Sequence, residues 1–199
     1  MRARMSLSAS GITCEVRELV LRDKPTHMLE ISPKGTVPVL QTSDGIVIEE
    51  SLEVMLWALR QADPLDWLKP ELADEAAMLD LIRKCDEEFK PHLDRYKYAN
   101  RYEGADPEHH RSKATAYINE LNKRLANSPY LFGSRPSLAD YGIAPFIRQF
   151  ANTDRVWFDQ APFPYLQNWL VEFLNSEIFL EIMEKLPVWK PGDCVVHRF

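Results

Sequence analysis

The sequence predicts a mixed α/β segment followed by an all-helical segment. The hydrophobic spacing changes near residue 64, from short alternating or apolar runs to stripes that repeat about every 3.5 residues. Gly is scarce, at 7 of 199 residues, whereas Pro is common, at 14. That mixture favours helices with sharp ends over a hairpin-rich β fold. We therefore expect two domains, residues 1–64 and residues 65–199.

The composition excludes several classes of function. Apolar residues make up 45% of the chain and charged residues 27%, as in folded soluble proteins. The net charge of −6 leaves no basic excess for neutralising phosphates, so we expect no nucleic-acid partner. The longest uncharged apolar runs are far shorter than the ~20 residues that a membrane-spanning helix needs, so no membrane partner is expected.

Cysteine usage points to a reduced, cytoplasmic protein. The three cysteines, Cys14, Cys85 and Cys194, are isolated, and no CxxC motif occurs. The first residues, Met1 to Arg4, lack the hydrophobic core of a secretion signal. The histidines do not show the spacing of zinc ligands, so no metal site is expected.

The first 64 residues alternate between helical and extended patterns. In chain order they predict a helix at 1–10, a strand at 13–20, a helical or irregular piece at 25–31, strands at 37–40 and 46–48, and a helix from Ser51 to Asp63. Gly11 is typical of a helix end, and Asp44-Gly45 is a strong hairpin signal.

The remaining chain is predicted to be helical up to an extended tail at residues 187–199. Pro91 should kink a long helix because it removes a backbone donor. Ser137 and Asp140 form a capping box with Asp in the acid position, and its loss should cost about 1 kcal/mol or more. Aromatic residues could line an apolar pocket for a second substrate or belong to the core: Phe89, Tyr96, Tyr98 and Tyr102.

Two segments of the first domain are candidates for ligand binding. In Ser32-Pro33-Lys34-Gly35-Thr36-Val37-Pro38-Val39-Leu40, Pro38 lacks the N–H that a sheet ladder requires. A cis Val37–Pro38 bond would turn the Val37 backbone outward to pair with a peptide-like ligand, and an ordinary edge-strand proline is the alternative.

The second segment is Glu49-Glu50-Ser51, which follows the predicted strand at 46–48. Ser51 is a good N-cap, and a helix start offers free N–H groups for a ligand carboxylate. Glu50 could hold a ligand ammonium. An ordinary capped helix is the alternative interpretation.

Together these segments and the box Gly133-Ser134-Arg135-Pro136-Ser137-Leu138-Ala139-Asp140 resemble the cytosolic glutathione transferase superfamily, over about residues 1–186. The resemblance implies a thioredoxin-like N-terminal domain followed by an all-helical C-terminal domain. It also implies that glutathione is the co-substrate, with Val37 and Pro38 at its cysteinyl part and Glu50 and Ser51 at its γ-glutamyl end. Lys34 is our candidate for its glycyl carboxylate.

The sequence departs from this family at its beginning. The family starts with a strand and a loop that carries the thiol-activating residue, whereas Met1 already resembles the start of the first helix. The thioredoxin-like domain is thus expected to be N-terminally truncated, with the strands at 13–20 and 37–40 unpaired at buried N–H and C=O groups. Three explanations stay open: an internal Met of a longer protein, replacement of the strand by the tail or a partner chain, or a rearranged domain without catalysis.

Two functions are compatible with these residues. One is an enzyme that passes the glutathione sulfur to a small apolar electrophile or reduces a mixed disulfide. The other is a non-catalytic binding or regulatory protein of the same fold. No residue is identified as the thiol activator. Relatives usually dimerise, so the resemblance implies a homodimer.

Overall fold

The computed structural model describes residues 1–199, which divide into two compact units. One unit comprises Met1–Leu65 together with Glu177–Phe199, and the other comprises Asp66–Ser176. The sequence-based division grouped residues 65–199, whereas the structure places the last 23 of them, from Glu177 onward, with the first unit.

The first unit combines helices with two small antiparallel sheets. One sheet pairs β1 with β4 and the other pairs β2 with β3. The elements are α1 (Arg2–Ser10), β1 (Cys14–Glu15), α2 (Thr26–Ile31), β2 (Leu40–Gln41), β3 (Val47–Ile48), α3 (Ser51–Gln61), α10 (Glu177–Ile182) and β4 (His197–Arg198). Gly11 closes α1 with a φ of 64°, as expected for a glycine that ends a helix.

The strands are shorter than the sequence pattern predicts. The predicted strand at 13–20 is regular only at Cys14–Glu15, and beyond it Glu18 forms an isolated parallel bridge with Val188. The predicted strand at 37–40 begins only at Leu40, because Pro38 has no N–H to donate to a ladder. The hairpin at Asp44-Gly45 is present, and the Gly45 N–H donates to the Thr42 carbonyl at 3.0 Å.

Residues 187–199, which we call the tail, lie along β1. Cys14 is in register with Arg198, and Glu15 is in register with His197. The Val16 N–H donates to the Val196 carbonyl at 2.8 Å, and the Trp189 N–H donates to the Glu18 carbonyl at 2.8 Å. The tail therefore provides a partner for the 13–20 segment, which is one of the three explanations that the sequence left open.

The first unit has its apolar centre where α1 crosses α3. Ala3 and Leu7 of α1 and Val54 and Ala58 of α3 form one buried cluster. Residues from all four strand regions or their flanks pack against this cluster: Ile12, Cys14, Leu40, Ile48 and Phe199. Since the strands contribute one or two residues each, the helix pair supplies most of the buried surface that holds them.

The second unit is all-helical. Its elements are α4 (Glu75–Lys84), a π-helical turn (Cys85–Phe89), α5 (Lys90–Lys97), a 3₁₀ turn (Ala99–Arg101), α6 (Pro107–Leu125), α7 (Leu138–Ala151), α8 (Arg155–Gln160) and α9 (Pro164–Asn175). The π-helical turn ends two residues before Pro91, whose ring nitrogen has no N–H to donate to the Glu87 carbonyl. No helix of the chain is both long and apolar enough to cross a bilayer.

Asp140 is the polar centre of the second unit. Its carboxylate is 3% exposed and accepts from the N–H groups of Leu131 and Ser137, at 3.0 and 2.9 Å. It also accepts from the Ser137 hydroxyl at 2.8 Å and from the Trp169 Nε1–H at 2.8 Å. Burial raises the pKa of Asp140, and these four donors oppose that rise. The capping box predicted from the sequence is thus present, with two further donors.

A histidine pair joins α5 to α6. The Nδ1 atoms of His92 and His110 lie 2.8 Å apart, so one imidazole donates and the other accepts. The pKa of both rings is lowered from the ordinary value of 6.5, mainly by burial. Neighbouring positive or titratable groups, which include Arg95 and His109, lower it further. Lys113 adds to the effect on His92, and Asp106 opposes it at His110.

We expect this pair to make the protein acid-sensitive. The folded state binds these protons more weakly than the unfolded state, so the pair's contribution to stability is complete above pH 6.5 and is lost as the pH falls below it. In His92→Gln, the free energy of unfolding should fall less steeply between pH 7.5 and 5 than in the wild type. Urea titrations across that range measure the slope, and equal slopes would contradict the prediction.

Candidate functional site

The predicted ligand-binding residues lie on two neighbouring segments of the first unit. We call the set Lys34, Val37, Pro38, Glu50 and Ser51 the ligand corner. The first three lie on the loop between α2 and β2, and the last two lie at the start of α3. Val37 and Pro38 precede β2 by three and two residues, and Glu50 follows β3 by two residues. The β2–β3 hairpin therefore positions both segments.

A buried hydrogen bond ties the two segments together. The Ser32 hydroxyl, which is fully buried, donates to Glu49 Oε1 at 2.5 Å. The loop then turns at Gly35, which has a φ of 61° and whose N–H donates to the Ser32 carbonyl at 2.9 Å. The φ favours glycine at this turn, and a Cβ at Gly35 would lie 3.2 Å from Leu29 Cδ2, so the Leu29 side chain would have to shift slightly. The sequence segment includes Ser32, but its hydrogen bond to Glu49 was not predicted, because no local pattern indicates a partner 17 residues away.

The loop presents Val37 to solvent. The Val37–Pro38 peptide bond is cis. Val37 is 48% exposed, and it lies outside the ladder because β2 begins only at Leu40.

Lys34 and Glu50 are in direct contact across the corner. The Lys34 ammonium donates to Glu50 Oε1, and both side chains are about half exposed. The hydrogen bond from Lys34 to Glu50 is the main cause that raises the pKa of Lys34, and the charges of Glu50, Glu49 and Glu53 add to it. An exposed pair of this kind contributes little to stability, so a zwitterionic ligand can replace it at small cost.

The start of α3 differs by one residue from the prediction. Glu50, with extended φ and ψ of −98° and 134°, is the N-cap, and Ser51 is the first helical residue. The prediction that Ser51 is the cap was therefore wrong. The side chain of Glu50 reaches Lys34 instead of the helix, and no side chain caps the first turn. The N–H groups of that turn, with the positive end of the helix dipole, adjoin the corner.

Cys14 and two serines of α1, Ser6 and Ser8, do not have the environment of an activated nucleophile. None of the three cysteines forms a disulfide, and burial raises the pKa of Cys14 from the ordinary value of 9.0, which favours the neutral thiol. The Ser6 hydroxyl is buried and donates to the Ala3 carbonyl, and the Ser8 hydroxyl donates to Glu181. The structure assigns no thiol-activating residue.

The four aromatic residues considered for a second substrate fall into two groups. Phe89 and Tyr96 are buried and contact the ring of Phe150 at 5.6 and 5.4 Å, so they belong to the core of the second unit. Tyr98 and Tyr102 lie nearer the surface, where Arg101 and Arg95 respectively cover their rings at 4.3 and 4.9 Å. The structure does not bring the four rings together as one pocket lining.

A known protein family matches one segment in each half of the chain. Residues 1–66 match the glutathione S-transferase N-terminal domain, and residues 106–171 match the glutathione S-transferase C-terminal domain. The chain is 26% identical over 188 residues to glutathione S-transferase omega-1 of Mus musculus, covering 94% of this chain and 72% of the relative. It is 26% identical over 186 residues to maleylacetoacetate isomerase of Mus musculus, covering 89% of this chain and 84% of the relative.

A solved structure shows the same architecture. A glutathione transferase family member from Pseudomonas fluorescens pf-5, with two glutathione bound, superposes with a TM-score of 0.75 at 18% identity. The match covers 90% of this chain and 85% of the other, and it supports the fold alone. With a thioredoxin-like domain, a helical domain and family matches in both, the chain belongs to the cytosolic glutathione transferase superfamily.

Proposed function

We propose that the chain binds glutathione at the ligand corner and transfers its sulfur to a small apolar electrophile or uses it to reduce a mixed disulfide. In the first reaction the thiol loses its proton to solvent and a carbon–sulfur bond forms as the leaving group departs. In the second, the glutathione thiolate attacks the glutathione sulfur of a mixed disulfide between glutathione and another thiol, the other sulfur leaves as a thiolate that takes up a proton, and glutathione disulfide forms.

The Lys34–Glu50 contact is the observation that carries this proposal. Glutathione has two carboxylates and one ammonium, and the corner offers one ammonium, one carboxylate and a helix start. Glu50 would take the ligand ammonium, and Ser51 with the α3 N–H groups would take the adjacent carboxylate. Lys34, released from Glu50, would take the glycyl carboxylate, and Val37 and Pro38 would face the cysteinyl part.

A second candidate is a non-catalytic protein that binds glutathione and has another role. The raised pKa of Cys14 and the hydrogen-bonded hydroxyls of Ser6 and Ser8 favour it, because none of these groups activates a thiol. Under either reading we propose a homodimer in the cytoplasm. A sedimentation mass near that of the 23.1 kDa single chain would contradict the dimer.

We expect Glu50→Gln to weaken glutathione binding at least ten-fold, because a charge-assisted hydrogen bond to an ammonium contributes about 1.5–3 kcal/mol. Calorimetry with S-methylglutathione measures binding without thiol chemistry. Glu30→Gln, which removes an exposed carboxylate from α2, is the matched control and should bind like the wild type. An absence of saturable binding, or equal affinities for Glu50→Gln and the wild type, would refute the site.

Turnover then separates the two candidates. The wild type is mixed with glutathione and either an aryl halide or a glutathionylated peptide. The glutathione concentration is set well above the dissociation constant measured for S-methylglutathione. A rate above that of glutathione alone, and lost in Glu50→Gln, supports the enzyme. Binding without such a rate supports the non-catalytic protein.

A further inference from the structure

We infer that the tail is a positioning segment for the ligand corner, so that its docking on β1 sets the affinity for glutathione; this inference rests on the proposed function. The tail lies at the far end of the sequence from Lys34 and Glu50, and no tail residue belongs to the corner. Its influence would pass through the apolar cluster at the crossing of α1 and α3.

Backbone pairing holds the tail at two places. At its beginning, the Trp189 N–H donates to the Glu18 carbonyl, and Val188 bridges Glu18 in parallel. At its end, His197–Arg198 runs antiparallel to Cys14–Glu15. Between them, the turn Lys190–Asp193 is closed by two hydrogen bonds, from the Asp193 N–H to the Lys190 carbonyl and from the Lys190 N–H to the Asp193 carboxylate.

Side chains anchor the beginning of the tail to the first unit. The Arg17 guanidinium lies over the Trp189 ring at 4.7 Å from its centroid. His27 contacts the same ring edge-on at 4.9 Å, and Arg17 is hydrogen-bonded to His27 Nε2 at 3.0 Å. A cation–π contact of this kind contributes about 0.5–1 kcal/mol at an exposed site, so Trp189 makes a modest contribution to the docking of the tail.

Phe199 links the end of the tail to the ligand corner. It packs on the buried cluster of α1 and α3, on which Leu40 and Ile48 also pack. Leu40 follows Pro38 by two residues, and Ile48 precedes Glu50 by two residues. Both segments of the corner are therefore anchored on the surface that Phe199 helps to cover, and release of the tail should loosen both anchors.

The register between β1 and β4 supplies a covalent lock for the test. Cys14 is directly opposite Arg198, and antiparallel partners have Cα separations of about 4.5–5.5 Å, within the range of a disulfide. Arg198→Cys in a Cys194→Ser background should therefore form a disulfide with Cys14 on oxidation. Arg198→Ser in the same background controls for loss of the Arg198–Glu184 ion pair.

The experiment releases the tail and then rescues it. In Trp189→Ala, amide hydrogen exchange should be about two- to five-fold faster at Val16 and across the β2–β3 hairpin, and S-methylglutathione should bind about two- to five-fold more weakly. Adding the lock should restore both properties when oxidised and neither when reduced. A chain ended after Leu186 should show the same losses, while exchange at Ile118 in the second unit stays unchanged.

Faster exchange at Val16 with unchanged hairpin exchange and unchanged affinity would overturn the inference, as would a chain without the tail that retains wild-type hairpin protection. The exchange measurement needs no ligand. If the wild type fails to bind S-methylglutathione, the proposed function fails, while the hairpin exchange still decides whether the tail positions the corner.

Discussion

Asp140→Ala is expected to lower the free energy of unfolding by about 4 kcal/mol, because it leaves four donors of the second unit without an acceptor. Each buried, unsatisfied donor costs about 1–3 kcal/mol, and water entering the small cavity recovers part of that loss. The donors belong to Leu131, Ser137 and Trp169, so the substitution also detaches α9 from the start of α7. Urea unfolding, followed by tryptophan fluorescence, measures the change.

Asp74→Ala is the matched control for this prediction. Asp74 caps α4 by accepting from the Ala77 N–H at 2.9 Å, and it is exposed, so its loss should cost only about 1 kcal/mol. Asp140→Asn should lie between the two, because the amide keeps one acceptor but turns its NH₂ towards donors. If Asp140→Ala costs no more than Asp74→Ala, the network around Asp140 contributes no more than an ordinary helix cap.

Gly133→Ala is the second substitution with a large expected effect, about 3 kcal/mol of lost stability. Gly133 has a φ of 139°, which side-chain-bearing residues rarely adopt. A Cβ there would also lie 2.5 Å from Glu71 Oε2 and 2.8 Å from Glu71 Cβ. Glu71 cannot yield freely, because its carboxylate accepts from the Ser134 N–H and hydroxyl at 2.5 and 2.9 Å.

Gly104→Ala separates the two causes. Gly104 also has a positive φ, 67°, but a Cβ there would meet no atom within 4 Å, so only the conformational cost of about 1 kcal/mol remains. Thermal and urea unfolding of both variants give the comparison. Equal losses would mean that Glu71 moves aside without cost and that the close approach at Gly133 is not a constraint.

Local signals allowed much of the fold to be predicted from the sequence. Gly11 ends α1, Asp44-Gly45 turns the hairpin, and Ser137 with Asp140 starts α7, because each depends on backbone geometry over four residues or fewer. The capping box was predicted as a local feature, and its links to Leu131 and Trp169 were not, because those partners are brought close only by packing.

The residues of the ligand corner were named from the sequence, but their contacts with one another were not predicted. Lys34 and Glu50 were named as ligand groups, yet their contact with each other depends on the loop closing over the start of α3. Glu50, and not Ser51, is the N-cap, and its side chain contacts Lys34 instead of the helix, which the helix signal alone does not predict. The pairing of the tail with β1 was only one of three explanations, since residues so far apart in sequence leave no shared local pattern.

The large sequence separation between β1 and β4 has a consequence for folding during synthesis. Glu15 and His197 are 182 residues apart, so at about 5–20 residues per second β1 waits roughly 10–40 s on the ribosome before its partner strand is made. During that interval its free edge can recruit another nascent chain.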